Sequence, residues 1–184
     1  MNLIPDITTE SPMEILLNAE QRLTSDRELW NFGDWRHCTC GHIYAAANQD
    51  ELADCEAQVS EATPHSAYSR ALVAILEAAA TKGLPEISQL AEHCIQRYRD
   101  HADDGYYEGV YYLTSGVSDI TARYARQING CMNVHRTHAR TVIRWGIEHL
   151  EAQERENMEQ AKKAKRTAPA RKPNPVAEKL KQPV

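Results

Sequence analysis

Hydrophobic residues recur at spacings of three and four along most of the first 150 positions, which is the pattern of amphipathic helices. Ser11 and Glu14 form a capping box and predict the first helix. Two clear helices are predicted to begin after Thr63 and at Pro85, with Gly83 ending the earlier one. The predicted buried stripes are Ile15, Leu16, Ala19 and Leu23; then Tyr68, Ala71, Leu72, Ile75, Leu76 and Ala79; then Ile87, Leu90, Ala91, Cys94, Ile95 and Tyr98.

Shorter or less regular stripes predict helices over residues 41–48, 50–59 and 118–129, and a last one that Thr137 caps. The stripes in these segments are Leu52, Cys55 and Val59; Ile120, Tyr124 and Ile128; and Ala139, Val142, Ile143, Gly146, Ile147 and Leu150. The predicted fold is therefore mainly α, a compact multi-helix domain over residues 1–150 with six or seven helices. Trp30, Phe32 and Trp35 are expected to pack against one end of this bundle.

The apolar pattern stops after Leu150, and the composition changes there. Residues 151–166 are almost wholly charged, Ala or Gln, which predicts a charged helical extension of the domain. The Pro-spaced, Lys-rich segment 167–184 is predicted to be a disordered basic C-terminal tail.

The net charge of −5 is unevenly distributed along the chain. Residues 161–184 carry eight basic side chains and one acidic one, which leaves 13 basic and 25 acidic residues before them. The body therefore has a charge of −12 and the tail +7, so nucleic acid could bind only through the tail. The alternative is that the tail pairs with the acidic body. The candidate contact residues are Lys162, Lys163, Lys165, Arg166, Arg171 and Lys172.

Residues 37–42 concentrate metal-ligating side chains in one turn, His37, Cys38, Cys40 and His42. A zinc site would need a second segment, and Cys131, His135 and His138 form the comparable cluster. The Cys-x-Cys spacing differs from the Cys-x-x-Cys of common zinc knuckles. The alternatives are a metal-stabilised structural turn, or buried cysteines beside surface histidines with no cofactor at all.

The same turn could instead supply a nucleophile, since a helix N-terminus after Cys38 or Cys40 would lower a thiol pKa. Asp34 is the nearest acid that could orient a histidine. This interpretation makes the protein a metal- or thiol-dependent enzyme. His93 and Cys94 are adjacent too, but neighbours on a helix point to different faces, so Cys94 is assigned to the core and His93 to the surface.

Tyrosines dominate the segment that follows the turn signal Asp104-Gly105. Tyr106, Tyr107, Tyr111 and Tyr112 surround Gly109-Val110, which predicts a Tyr-rich loop or a small hairpin. Such a segment could be a partner-binding surface, because tyrosine offers rigid amphipathic contact area. The alternative is a loop packed over the helical body.

Several classes of protein are disfavoured by what the chain lacks. It contains no apolar run near the ~18 residues that cross a bilayer, and its first residues do not have the pattern of a secretory signal. Five cysteines without an even framework fit a reducing compartment, so a cytoplasmic location is expected. No Gly-rich phosphate loop or Ser-His-Asp order is present.

Two segments together resemble a known group of proteins. Residues 13–47 combine a leading helix, Gly-Asp-Trp and Cys-x-Cys-Gly-x-Ile-x-Ala-Ala-Ala; residues 117–150 combine Ser-Asp-Ile, Ile-Asn-Gly and a helix ending in Gly-Ile-Glu-His-Leu. This order is similar to small helical proteins of unknown function from actinobacteria and actinobacteriophages. The resemblance implies an accessory protein of the kind such phages encode, and it assigns no catalytic residue.

The resulting functional prediction is a non-enzymatic binding or regulatory accessory protein that acts through a macromolecular partner. A protein partner is expected first, with the Tyr segment or the tail as the contact. The alternatives are the enzyme centred on residues 37–42 and non-specific nucleic-acid binding by the tail.

Overall fold

The computed structural model describes residues 11–25, 30–48, 65–102, 106–130 and 133–167. These residues form helices and no strand, which confirms the mainly α prediction. The helices are α1 (Pro12–Thr24), α2 (Thr39–Ala47), α3 (Ala67–Ala80), α4 (Pro85–His101), α5 (Tyr106–Asn129) and α6 (Arg136–Thr167). The chain divides into two units, residues 1–151 and 152–184. The helix predicted over 50–59 lies outside the described residues.

The first helix follows its predicted pattern closely. The Ser11 hydroxyl accepts the Glu14 backbone N–H, and the Glu14 carboxylate accepts the Ser11 N–H, so the capping box is confirmed. All four stripe residues are buried, and α1 ends at Thr24. Local capping and the apolar stripe therefore agree on where this helix lies.

Helices α3 and α4 supply the middle of the core. Every predicted stripe residue of α3 is buried, whereas α3 begins at Ala67 with Ser66 as its N-cap, later than the predicted start. Pro85 opens α4 as predicted, after Gly83 with φ +70°, a conformation that suits glycine. Leu90 and Tyr98 of α4 are only partly buried, because they lie at the edge of the core.

The loop or hairpin predicted for residues 106–112 is wrong, because α5 begins at Tyr106 and runs unbroken to Asn129. An apolar stripe of Val110, Leu113, Val117 and Ile120, all fully buried, continues through the segment at helical spacing. The burial of this stripe outweighs the turn tendency of Gly109 and the β tendency of the tyrosines. Ser118, predicted as a cap, is interior to α5, and Ile128 is exposed instead of buried.

Helix α6 closes the core of the first unit with Ala139, Val142, Ile143 and Ile147. Gly146 lies so close to its neighbours that a Cβ there would meet Ile75 Cγ1 at 2.7 Å and Leu16 Cδ1 at 2.9 Å. Helices α1, α3 and α6 therefore pack closely at this point. In the second unit the helix continues to Thr167, with the side chains of residues 153–165 exposed.

The aromatic residues of the turn before α2 do not all pack as predicted. Trp30 lies against the core and its indole N–H donates to the Val134 carbonyl at 3.4 Å. Phe32 is half-buried, and Trp35 is 36% exposed. Trp30 therefore packs against the core as predicted, whereas Trp35 is one of the exposed large hydrophobic residues, contrary to the prediction. Among the described helices, none is both long and apolar enough to cross a membrane.

Candidate functional site

Helix α2 carries the Cys/His turn into the centre of the first unit, and every residue of α2 is buried. Three consecutive alanines and Gly41 keep the helix thin enough for this placement. A Cβ on Gly41 would lie 2.3 Å from the Arg36 carbonyl oxygen and 2.4 Å from that of Trp35. The preceding turn therefore folds directly against the first residues of α2.

Cys38 and Cys40 sit at the N-terminus of α2, with Cys38 as its N-cap residue. The Cys38 thiol donates to the Trp35 carbonyl at 3.3 Å, and the Cys40 thiol donates to the Thr114 carbonyl of α5 at 3.2 Å. Both cysteines are buried. Hydrogen bonding from the Cys40 side chain, together with the nearby backbone N–H groups of α2, lowers the pKa of Cys38 although burial opposes this.

Asp34 and His37 form a polar pair on the surface of the same turn. His37 Nδ1 lies 2.8 Å from Asp34 Oδ2, and the Arg36 backbone N–H donates to the other carboxylate oxygen at 3.0 Å. The hydrogen bond to His37 and then the one from Arg36 lower the pKa of Asp34. Asp34, which the sequence offered only as the nearest acid, thus orients the His37 ring. The Cys38 thiol bonds to the Trp35 carbonyl and not to this ring.

The two predicted Cys/His segments approach each other through Trp30. Its ring stacks on the buried His42 ring with centroids 6.2 Å apart, and its N–H reaches Val134 just before α6. Beside Val134, the His135 backbone N–H donates to His138 Nδ1 at 2.9 Å. Burial, and secondly the charge of His135, lower the pKa of His138. An indole therefore lies between the two histidine-bearing segments.

These contacts do not assemble a metal site from the described side chains. Within the described ranges, no three His, Cys, Asp or Glu residues are placed to hold one ion. Cys131 lies outside those ranges, so zinc binding by the two segments stays a prediction. His93 is exposed and Cys94 is buried, which confirms that this adjacent pair faces in different directions.

A second cluster lies where α4 meets α5, and we define Arg97, His101, Tyr111 and Tyr112 as the aromatic patch. Arg97 Nη2 donates to the Tyr112 hydroxyl at 2.9 Å, and the His101 ring stacks on Tyr112 with centroids 5.9 Å apart. The Tyr111 ring lies edge-on to the Tyr112 ring with centroids 6.1 Å apart, and Tyr111 is 42% exposed. His101 Nδ1 also lies 3.3 Å from a Glu108 carboxylate oxygen.

The sequence had indicated two of these four residues. Tyr111 and Tyr112 were candidates, whereas Arg97 and His101 were missed because their approach to Tyr112 depends on how α4 packs against α5. The sequence signal available for them was their spacing: Arg97 and His101 are four residues apart on a predicted helix and so lie on the same face. Tyr106 and Tyr107 begin α5, and their side chains lie outside the description.

Only some of the basic residues predicted as tail contacts lie in the described part of the chain. Lys162, Lys163 and Lys165 are exposed on this helix. The Arg166 side chain, and Arg171 and Lys172, lie outside the described part of the chain. Contact by the tail with nucleic acid or protein therefore stays a prediction.

No protein-family model, curated protein or solved structure matches this chain. The resemblance to actinobacterial and phage proteins accordingly stays a prediction.

Proposed function

We propose that this protein is a non-enzymatic binding protein of the cytoplasm, which uses the aromatic patch to hold a segment of a protein partner. The exposed ring of Tyr111 carries the proposal, because it stands beside a second tyrosine that the rest of the patch holds in place. Tyrosine and arginine are the residues that contribute most at protein interfaces.

The patch is already ordered before any partner binds. Tyr112 is held by the Arg97 hydrogen bond and by stacking on His101, so its ring loses little further freedom on binding. Arg97 lies 5.0 Å from the Tyr112 ring centre. A partner segment would place an apolar side chain on Tyr111 and an acidic one near Arg97, where the guanidinium keeps donors beyond the one used by Tyr112.

Site-specific photocrosslinking tests this proposal. Tyr111 is replaced by a photoreactive benzoyl-phenylalanine, which keeps an aromatic ring at the surface, and the full chain is irradiated in cells that naturally produce it. We expect one discrete polypeptide adduct, and we expect Arg97→Ala to weaken it strongly. The adduct is identified by mass spectrometry of its peptides.

Ile128 provides the matched control, since it is 61% exposed on the same helix but far along it from the patch. The same photoreactive residue at position 128 should give no such adduct. Equal crosslinking at both positions, or none at 111, would argue against the patch. Adducts that nuclease removes and that deletion of residues 161–184 abolishes would favour nucleic-acid binding by the tail instead.

A second candidate function, thiol chemistry at Cys38, is favoured by the position of that thiol beside Cys40 at the N-terminus of α2. The pKa of Cys38 is lowered and that of Cys94 is raised, so Cys38 forms the reactive thiolate more readily than Cys94 does. The Asp34–His37 pair lies on the same turn. This arrangement supports a reactive cysteine without identifying a substrate.

Alkylation of the native protein with iodoacetamide tests the second candidate, with Cys94 as the internal reference. We expect Cys38 to be modified well before Cys94, as read by mass spectrometry of the peptides, and the Cys38→Ser variant to lose the fast phase. Equal, slow modification of both cysteines, at the rate of global unfolding, would leave Cys38 as a packing residue only.

A further inference from the structure

An open cavity of ≈ 520 Å³ lies in the first unit between α1, the α3–α4 connection and the N-terminal half of α6. This volume is in the range of small-molecule sites. The residues that line it are Glu20, Lys82, Thr137, Arg140, Thr141, Arg144, Trp145 and Glu148. None of them belongs to the Cys/His turn or to the aromatic patch.

The two carboxylates of the cavity already have partners. Arg144 holds Glu20 with two parallel hydrogen bonds, one from Nε at 3.1 Å and one from Nη2, and the Glu20 side chain is only 12% exposed. Lys82 pairs with Glu148 at 3.2 Å while its ammonium group lies 5.5 Å from the Trp145 ring centre. These four charges therefore balance one another.

Arg140 is the third cation of the cavity, and its ion pair is longer than those of Arg144 and Lys82. Its Nη2 lies 4.0 Å from Glu20 Oε1, a distance too long for a hydrogen bond. Its Nε is buried and has no hydrogen-bond partner among the described residues. The Arg140 side chain as a whole is 40% exposed. A ligand in the open cavity would therefore meet its terminal Nη donors and not the enclosed Nε.

The charge around the cavity is opposite to that of the body as a whole. Three cations and two carboxylates leave one positive charge in excess, in a chain whose net charge is −5. The first turns of α6 line the same cavity with Thr137 and Thr141, and the N-terminus of a helix favours anions.

We infer that this cavity binds a small organic carboxylate, and that the guanidinium of Arg140 is its main contact. One carboxylate of the ligand neutralises the single excess charge, and its two oxygens match the planar guanidinium N–H donors; a second carboxylate, as in succinate, would extend to the open side of the cavity. The rest of the ligand lies along Trp145 and the Lys82 side chain. This binding site is separate from the partner surface proposed above.

Titration calorimetry of the full chain with succinate tests the inference, with inorganic phosphate and the neutral analogue succinamide as comparison probes. At constant ionic strength, succinate should bind saturably with one site per chain, and succinamide should not bind. Arg140→Gln should weaken succinate binding at least roughly tenfold, because a charge-assisted hydrogen-bonded pair is lost. Arg140→Lys keeps the positive charge but loses the planar pair of donors, so its affinity for succinate should lie between those of the unmodified chain and Arg140→Gln.

Arg123→Gln is the matched control, because Arg123 is a half-exposed arginine of α5 whose ion pair with Glu86 is also long, at 3.9 Å. It should bind succinate as the unmodified chain does. Thermal melting of each variant checks that it remains folded. The inference fails if no anion saturates, if succinamide binds as well as succinate, if phosphate binds more tightly than succinate, or if Arg123→Gln and Arg140→Gln lose affinity equally.

Discussion

Cys38 and Cys94 are two buried thiols of one core, 2% and 4% exposed, yet their pKa values shift in opposite directions. Cys38 caps α2, where the Cys40 side chain and then the backbone N–H groups at the start of the helix stabilise a thiolate. Cys94 lies within α4, where burial, and then the charge of Asp119, raise the pKa to about 11. At Cys38, hydrogen bonding from the Cys40 side chain and the start of α2 therefore outweighs burial, whereas at Cys94 burial determines the direction of the pKa shift.

A glycine lies near each thiol, Gly41 near Cys38 and Gly116 near Cys94, and the atoms around the two glycines differ. The three atoms nearest to a Cβ on Gly41 would all be backbone carbonyl atoms of the turn before α2. A Cβ on Gly116 would meet the Cys94 side chain, with Sγ at 2.8 Å and Cβ at 3.0 Å. Gly41 is therefore confined by backbone atoms, and Gly116 by side chains.

The largest effect should come from Gly41→Ala. Its new methyl group would lie 2.3 Å from the Arg36 carbonyl oxygen, so the turn and α2 must separate. We expect a loss of more than about 3 kcal/mol in the free energy of unfolding, measured by urea denaturation, or failure to fold. A near-normal midpoint would show that the turn shifts easily, and the contrast between the two thiol sites would then weaken.

Gly116→Ala should cost less, because a side chain can move where a backbone cannot. We expect a loss of about 1–3 kcal/mol from overpacking against Cys94. The Cys94→Ala change removes the sulfur atom and should recover part of this loss in the double variant. Urea denaturation of the four proteins in the double-mutant cycle measures the coupling, and strict additivity would contradict it.

Helices such as α1, α3 and α4 were predictable from sequence because the apolar residues within each helix alone show which face is buried. The Tyr-rich start of α5 was missed when its tyrosines and glycine were weighed above the Val110–Leu113–Val117 spacing. The Cys38–Cys40 pair at a helix N-terminus was also predictable, since it depends on neighbours in the chain. The approach of Trp30 to Val134, and of Arg97 to Tyr112, joins distant segments, and no local pattern specifies such contacts.

The smallest predicted effect distinguishes the two thiols by the sign of their pH dependence. The pKa of Cys94 is about 11 in the folded protein and has its ordinary value of 9.0 in the unfolded chain. Between these values the unfolded chain binds fewer protons, so stability falls as pH rises, by roughly 1 kcal/mol at pH 10. This contribution is fully present below pH 9.

Cys38 should act in the opposite sense, because its folded-state pKa is the lower one. As pH rises from that lowered value to 9.0, the unfolded chain holds the proton longer, and stability gains from the Cys38 thiolate. Urea denaturation at pH 7 and pH 10 should therefore show that Cys94→Ala loses less stability on alkalinisation than the unmodified chain, and that Cys38→Ala loses more. If both variants change in the same direction, the hydrogen bonds around Cys38 do not outweigh its burial, and the contrast between the two thiols is wrong.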